Sequence, residues 1–180
     1  MFPPLLLMSF PVNQDRRYAI MAIDIKQDMK TIKGKKVYLR PLRLTDAPRF
    51  TAWLKDPAVN KYTTRKAVSL KEERKWIRNL RKHKNTCCLA MDTKDGVHIG
   101  SIGAEAQQKD KYGLLGILIG DKQYWDKGLG TEAMELFVSY VFKKWKLHRV
   151  ELDVYEYNPR AIKVYKRLGF KVEGRRRERV

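Results

Sequence analysis

The sequence predicts a mixed α/β (α+β) chain, and three local patterns carry that expectation. Residues 114–119 (LLGILI) form an apolar run of strand length. Ala133, Leu136, Phe137, Tyr140 and Val141 then follow at the spacing of one helix face. Residues 147–157 read as another strand and 158–170 as a short helix. Asn158 stands at its N-cap, Pro159 at N1 and Gly169 just past its end. Residues 86–91 and 97–104 read as antiparallel strands joined by the Lys94-Asp95-Gly96 turn.

The remaining elements fall into place in chain order. Residues 37–41 read as a strand. Thr45 and Asp46 are candidate caps for a helix carrying Phe50, Trp53 and Leu54 inward, which Asp56-Pro57 breaks. Ser69 and Glu72 have the spacing of a capping box, and the helix they open runs towards His83 with Trp76, Ile77 and Leu80 on its inner face. Gly113, Gly116 and Gly120 interrupt the strand around 114–119, which suggests a bulge or a close backbone approach. Cys87 and Cys88 are adjacent on a strand and point to opposite faces. They are read as structural thiols, not as a disulfide or metal pair. His83, His98 and His148 are scattered, so no metal site is expected.

The segment 124–133 (YWDKGLGTEA) lies where strand gives way to helix. Gly128 and Gly130 lack Cβ atoms, so a phosphate can approach the backbone, and the free N–H groups of the first helical turn point at it. Lys127 adds a cation, and Leu129 and Thr131 complete the turn. A Walker loop is excluded, because its Lys must follow the last Gly, whereas Lys127 precedes Gly128. A Rossmann fingerprint also fails, since there is no G-x-G-x-x-G.

Three stretches together resemble the GNAT superfamily of acetyl-CoA-dependent N-acetyltransferases, in particular the branch that includes the ribosomal-protein N-terminal acetyltransferases. They are VYLRPLRLTDA (37–47), GILIGDKQYWDKGLGTEA (116–133) and ELDVYEYNPRAIKVYKRLGF (151–170). The resemblance covers roughly residues 37 to 174. It implies a central, mixed, mostly antiparallel twisted sheet flanked by helices and splayed between the family's fourth and fifth strands. The pantetheine arm of acetyl-CoA would enter the splay and pair with backbone groups of Ile117, Leu118 and Ile119. Lys127, Gly128, Leu129, Gly130 and Thr131 would hold the pyrophosphate. Trp125 stands where the family pattern Q/R-x-x-G-x-G/A has Gln or Arg.

Lys plus Arg number 39 against 20 Asp plus Glu, a formal net charge of +19. Such an excess favours anionic partners: coenzyme A, nucleic acid, a ribosome or an anionic surface. It disfavours a small polycation as acceptor. No apolar run is long enough to cross a membrane, and residues 1–12 (MFPPLLLMSFPV) lack the charged start of a signal peptide. A cytoplasmic protein is expected, with an oligomer left open. Residues 1–34 are expected to be an N-terminal extension outside the core, with Met21 and Met29 preceding the family-like start. Residues 35–180 would form the acetyltransferase domain. Residues 174–180 (GRRRERV) read as a basic tail with no strand after it, which leaves three alternatives: a truncated chain, an empty last place in the sheet, or one filled by a partner.

Acetyl transfer to an amine needs a neutral nucleophile, a stabilised oxyanion and a proton for the leaving thiolate. Tyr165 is the candidate acid. Asn158, Ala161 and Tyr165 share one helix face, and by resemblance the tyrosine lies beside the cofactor sulfur. Asn158 caps the helix, contacts the cofactor, or does both. The strand 114–117 carries no carboxylate, and Glu105 on the preceding strand is the nearest candidate base. A site without a strong base suits an α-amine of pKa ≈ 8 better than a Lys amine near 10.4. The expected substrate is therefore a protein N-terminus. A small-molecule amine, or a basic RNA- or ribosome-binding module with weak catalysis, are the alternatives.

Overall fold

In the computed structural model, residues 4–11, 31–80 and 82–176 are described. Eight strands form one sheet: β1 (Leu5–Pro11), β2 (Ile32–Lys33), β3 (Val37–Pro41), β4 (Thr86–Thr93), β5 (His98–Gln107), β6 (Tyr112–Ile119), β7 (Arg149–Tyr155) and β8 (Lys171–Arg176). Their order across the sheet is β2-β3-β4-β5-β6-β7-β1-β8. Neighbouring strands run antiparallel except β6 and β7, which are parallel. The helices are α1 (Ala47–Lys55), α2 (Pro57–Asn60), α3 (Leu70–Leu80), α4 (Leu129–Trp145) and α5 (Pro159–Arg167).

Strand alternation divides the core in two. Cys87, Leu89 and Met91 of β4 join the larger cluster, which contains most of the inner face of α4 together with Tyr165 and Leu168. Ala90 joins a smaller cluster with Phe50 of α1 and Ile77 of α3, and Cys88 packs against it. The two cysteines thus face opposite ways, and burial pushes the Cys88 thiol up to about 12.

Two expected caps met different fates. Ser69 and Glu72 form the reciprocal box, with Ser69 N donating to Glu72 Oε2 at 2.8 Å and Glu72 N to Ser69 Oγ at 3.3 Å. Asp46 does not cap α1. Its carboxylate accepts from Arg40 at 2.8 and 2.9 Å and from Arg43 N at 2.8 Å. Arg40 also donates to Asp92 at 2.5 Å, and Asp92 contacts His98 Nδ1 at 3.0 Å. Burial alone would raise both carboxyl pKa values, but the hydrogen bonds from Arg40, Arg43 and His98 outweigh it and hold them below the usual range.

The glycine-interrupted strand has no bulge on its β5 side, where the register runs unbroken from Gly100↔Ile119 to Gln107↔Tyr112. Close approach is the reason for Gly120: a Cβ there would stand 2.0 Å from the Trp53 ring of α1.

The largest correction concerns the two ends. Leu5–Pro11 is not outside the core. It pairs antiparallel with β7, from Leu5↔Tyr155 to Pro11↔Arg149, and with β8 on its other edge. Leu5, Met8 and Phe10 are buried, and Phe10 packs against Phe142 and Phe170 at 6.2 and 5.5 Å. This strand fills the place between β7 and β8, and Gly174–Arg176 belongs to β8, the edge strand, instead of a tail. Ile32 is buried as well. Residues 12–30 of the expected extension, including Met21 and Met29, lie outside the described residues.

A chain lacking residues 1–12 should lose most of its stability. Each of the three large side chains contributes about 1.5–3 kcal/mol of burial, and together they approach the whole stability of an ordinary domain, about 5–15 kcal/mol. Urea unfolding followed by circular dichroism would read this, and an unchanged midpoint would contradict the core role of β1.

Candidate active site

The sheet opens where its parallel pair parts. β6 and β7 pair from Tyr112↔Arg149 to Leu115↔Leu152 and no further, although β6 continues to Ile119 and β7 to Tyr155. A cavity of ≈ 560 Å³ fills the wedge. Its wall includes Gly116–Ile119 on one side, Asp153–Tyr155 on the other, and the start of α4 above.

Backbone polar groups alternate sides along a strand. Gly120 N donates to Ile99 O at 2.9 Å, so the Leu118 groups also turn to β5, and those of Ile117 and Ile119 turn into the wedge. Of the three residues expected to offer backbone contacts, Leu118 therefore offers its side chain alone. The Ile119 carbonyl already accepts from Trp125 Nε1 at 2.8 Å. Ile117 is left with both groups facing the opening. Trp125, at the position where the family pattern has Gln or Arg, ties the loop to β6 and carries the Arg160 guanidinium 4.0 Å over its ring.

Gly128 is the N-cap of α4 with φ 76°, a left-handed conformation that favours glycine. It has no side chain to cap the helix, so the first-turn amides of Leu129, Gly130 and Thr131 stay open to an anion. Gly130 answers a different demand, because a Cβ there would meet Ile119 Cδ1 at 3.0 Å. Gly128, Leu129, Gly130 and Thr131 line the cavity. The Lys127 side chain lies to one side, its Nζ 5.4 Å over the Tyr124 ring. Two cations that sequence reasoning missed reach the same turn. Arg167 donates to Thr131 Oγ1 at 2.9 Å, and Lys36 Nζ lies 3.4 Å from Lys127 O.

Asn158, Ala161 and Tyr165 all reach the cavity wall, as their shared helix face requires. Asn158 Oδ1 accepts from Ala161 N at 3.2 Å, so it caps α5. Burial pushes the Tyr165 phenol up to about 12. Glu105 lies on the wall at an exposed position opposite Leu114. Two other carboxylates on the wall are ion-paired, Asp126 with Arg160 at 3.5 Å and Asp153 with Arg176 at 3.3 Å. Asp153, directly after the last β6–β7 pair, was not foreseen in the sequence. Among the described residues no group of His, Cys, Asp and Glu is arranged to hold a metal ion, and no helix is long and apolar enough to cross a membrane.

A sheet that splays above a helix start with open amides is the arrangement that the sequence resemblance implied, and the profile of the family described as "Acetyltransferase (GNAT) domain" matches residues 36–171. The chain belongs to the GNAT acetyltransferase family. It is 31% identical over 166 residues to a probable N-acetyltransferase, YjcK, of Bacillus subtilis (strain 168), covering 83% of this chain and 88% of that protein. A GNAT-family acetyltransferase from Bacillus anthracis shares the fold with a TM-score of 0.70 at 20% identity, over 81% of this chain and 86% of that one. RimL, a ribosomal L7/L12 alpha-N-protein acetyltransferase, does so with a TM-score of 0.68 at 14% identity, over 85% and 87%. This GNAT chain is an acetyl-CoA-dependent N-acetyltransferase.

Gly128→Val should abolish coenzyme A binding and also cost about 1–3 kcal/mol of stability, because a β-branched residue is strained at positive φ. Calorimetry for affinity and thermal melting for stability would separate the two effects. Unchanged affinity in the folded variant would remove the helix start from the binding site.

Proposed function

We propose that this acetyltransferase acts on a protein N-terminal α-amine. In this reading the pyrophosphate of acetyl-CoA lies on the amides of Leu129, Gly130 and Thr131, and the pantetheine arm pairs with Ile117 along the open edge of β6. The thioester then reaches the apex of the wedge beside Tyr165. Acetyl-CoA supplies an activated acyl group: its C–S bond breaks as a C–N bond forms, the amine loses a proton and the sulfur gains one.

The observation that carries the acceptor assignment is the state of the carboxylates. Asp126 and Asp153 each have an arginine beside them, at 3.5 and 3.3 Å, whereas Glu105 has a single distant contact, from Gln107 Nε2 at 3.4 Å. An amine of pKa ≈ 8 is already partly neutral near pH 7 and asks little of a base, whereas a lysine near 10.4 must first lose its proton. The net charge of +19 also works against a polycationic acceptor. The likeness to the RimL fold agrees with this reading but does not carry it.

The pKa of Tyr165 limits what its phenol can do. Burial pushes it up to about 12, so the phenol keeps its proton at neutral pH. Tyr165 therefore offers its O–H to the departing sulfur.

The test is incubation with acetyl-CoA and a panel of free-N-terminal peptides, N-terminally blocked lysine peptides and small amines, read by mass spectrometry. Acetylation of the α-amine peptides is expected, with a rate that rises as pH approaches 8. Acetylation confined to lysines or small amines would overturn the acceptor assignment and leave the family activity standing. Tyr165→Phe should lower turnover by about 10- to 100-fold, the scale of one hydrogen bond to a charged group, with little change in acetyl-CoA affinity. Normal turnover would take the hydroxyl out of the mechanism.

A further inference from the structure

Glu132 stands in the first turn of α4, where a negative charge beside a phosphate site is unfavourable unless it is otherwise occupied. Its carboxylate is occupied. Oε1 accepts from Lys35 N at 2.8 Å, and Oε2 accepts from Lys36 N at 2.7 Å and Val37 N at 2.9 Å. These three amides belong to the turn between β2 and β3 and to the first residue of β3, nearly a hundred residues away in sequence. The turn itself is closed by Gly34 N donating to Val37 O at 2.8 Å. It is pressed so close to α4 that a Cβ on Gly34 would stand 2.8 Å from Leu136 Cδ1 and 2.9 Å from Glu132 Oε2. The result is a fixed direction for Lys36. Its Nζ lies 3.4 Å from Lys127 O and 3.3 Å from where a Cβ on Gly128 would be. A cation from the far edge of the sheet is thus held over the helix N-cap.

We propose that Lys36 binds the pyrophosphate of acetyl-CoA, and that Glu132 is the positioning residue that aims it. The inference rests on the placement of the pyrophosphate at the α4 N-terminus proposed above. Lys127, the cation the sequence offers for this task, lies over Tyr124 instead. Lys36 supplies the charge, its Nζ beside the backbone of Lys127 and Gly128. Glu132 gives up its own charge to three N–H groups, so it repels the phosphates less than a solvated carboxylate would while fixing the lysine stem.

The experiment measures the affinity of the full chain for coenzyme A and for 3′-dephospho-coenzyme A by calorimetry, and acetyl-CoA kinetics with an acceptor peptide. Lys36→Ala is expected to weaken both ligands by the same factor, about 10-fold, the scale of one exposed charge-assisted contact. It should raise the KM for acetyl-CoA and leave kcat and the acceptor KM alone. Lys36→Arg should recover most of the loss. Glu132→Gln should weaken both ligands too, and the double variant Lys36→Ala/Glu132→Gln should be no worse than Lys36→Ala. Since Glu132→Gln also loosens a turn, its melting temperature is measured alongside, and Lys36→Ala, at an exposed position, keeps the proposal testable if the former fails to fold.

Affinity within two-fold of the parent in Lys36→Ala would overturn the proposal. A loss seen with coenzyme A but not with the dephospho form would place Lys36 on the 3′-phosphate and overturn the pyrophosphate assignment. Tighter binding in Glu132→Gln would show an uncompensated repulsive charge and overturn the positioning role. A parent chain that binds coenzyme A with normal affinity while Gly128→Val binds equally well would instead strike down the helix-start site on which the inference stands.

Discussion

The site depends on one constraint: a parallel strand pair that is joined at one end and must stay apart at the other. Four residue pairs, ending at Leu115↔Leu152, hold β6 to β7. Beyond them each strand is retained by its outer neighbour, β6 by β5 through Ile119 and β7 by β1 through Tyr155. Both outer ladders continue past the point of parting, so each strand keeps its place in the sheet where the pairing between them stops. The backbone of Ile117 is therefore left facing open space, a costly state for buried polar groups unless a ligand or water meets them. A pantetheine arm with amides of its own is a natural occupant of such an edge.

Electrostatics separates the structural charges from those near the ligand site. Arg40, Asp46, Asp92 and His98 form a largely buried network in which each carboxylate is answered. Removing one partner of such a network costs far more than the pair is worth, because an uncompensated buried charge remains. Glu73 repeats the device on α3, fully buried and held by Arg65 at 2.7 Å, while the Arg65 guanidinium covers the Trp76 ring at 4.0 Å. By contrast, Lys36, Lys127 and Arg167 around the start of α4 are exposed and held by single contacts. Their value to the protein lies in what they attract, and it should fall with added salt.

What the sequence made legible follows from range. The α5 cap by Asn158, the Ser69–Glu72 box, the Gly96 turn and the Gly128 helix start are all decided within a few residues, so their residue types announce them. The family motifs supplied the splay, but not which backbone groups face it. That required the register of β6, which turned Leu118 away. Asp46 failed as a cap because Arg40, six residues earlier in the chain but beside it in space, claims the same oxygens. Lys36 and Glu132 were invisible for the same reason. A carboxylate at helix position 132 reads locally as a favourable first-turn charge, and nothing near it in sequence signals the turn it binds.

The strand Leu5–Pro11 carries this argument to its end. A sheet position is defined by two neighbouring ladders and by a face of the core, and nothing in that definition refers to chain order. The slot between β7 and β8 requires an antiparallel strand with apolar side chains facing the large cluster, which Met8 and Phe10 meet while Ser9, turned the other way, donates to Glu173 at 2.5 Å. Read alone, LLLMSFP is an apolar run ahead of the family motifs, and its isolation from them suggested a dispensable extension. Its pairing partners lie some 140 residues or more downstream, so no local pattern could have named them. The entropic cost of closing a loop grows only slowly with length, roughly 0.6 kcal/mol per doubling, so the long loop adds only about 2 kcal/mol over one of about twenty residues, less than the burial of Leu5, Met8 and Phe10 returns. An early segment can therefore complete a sheet as stably as a late one, and here it also brings Leu5 to the wall of the cavity.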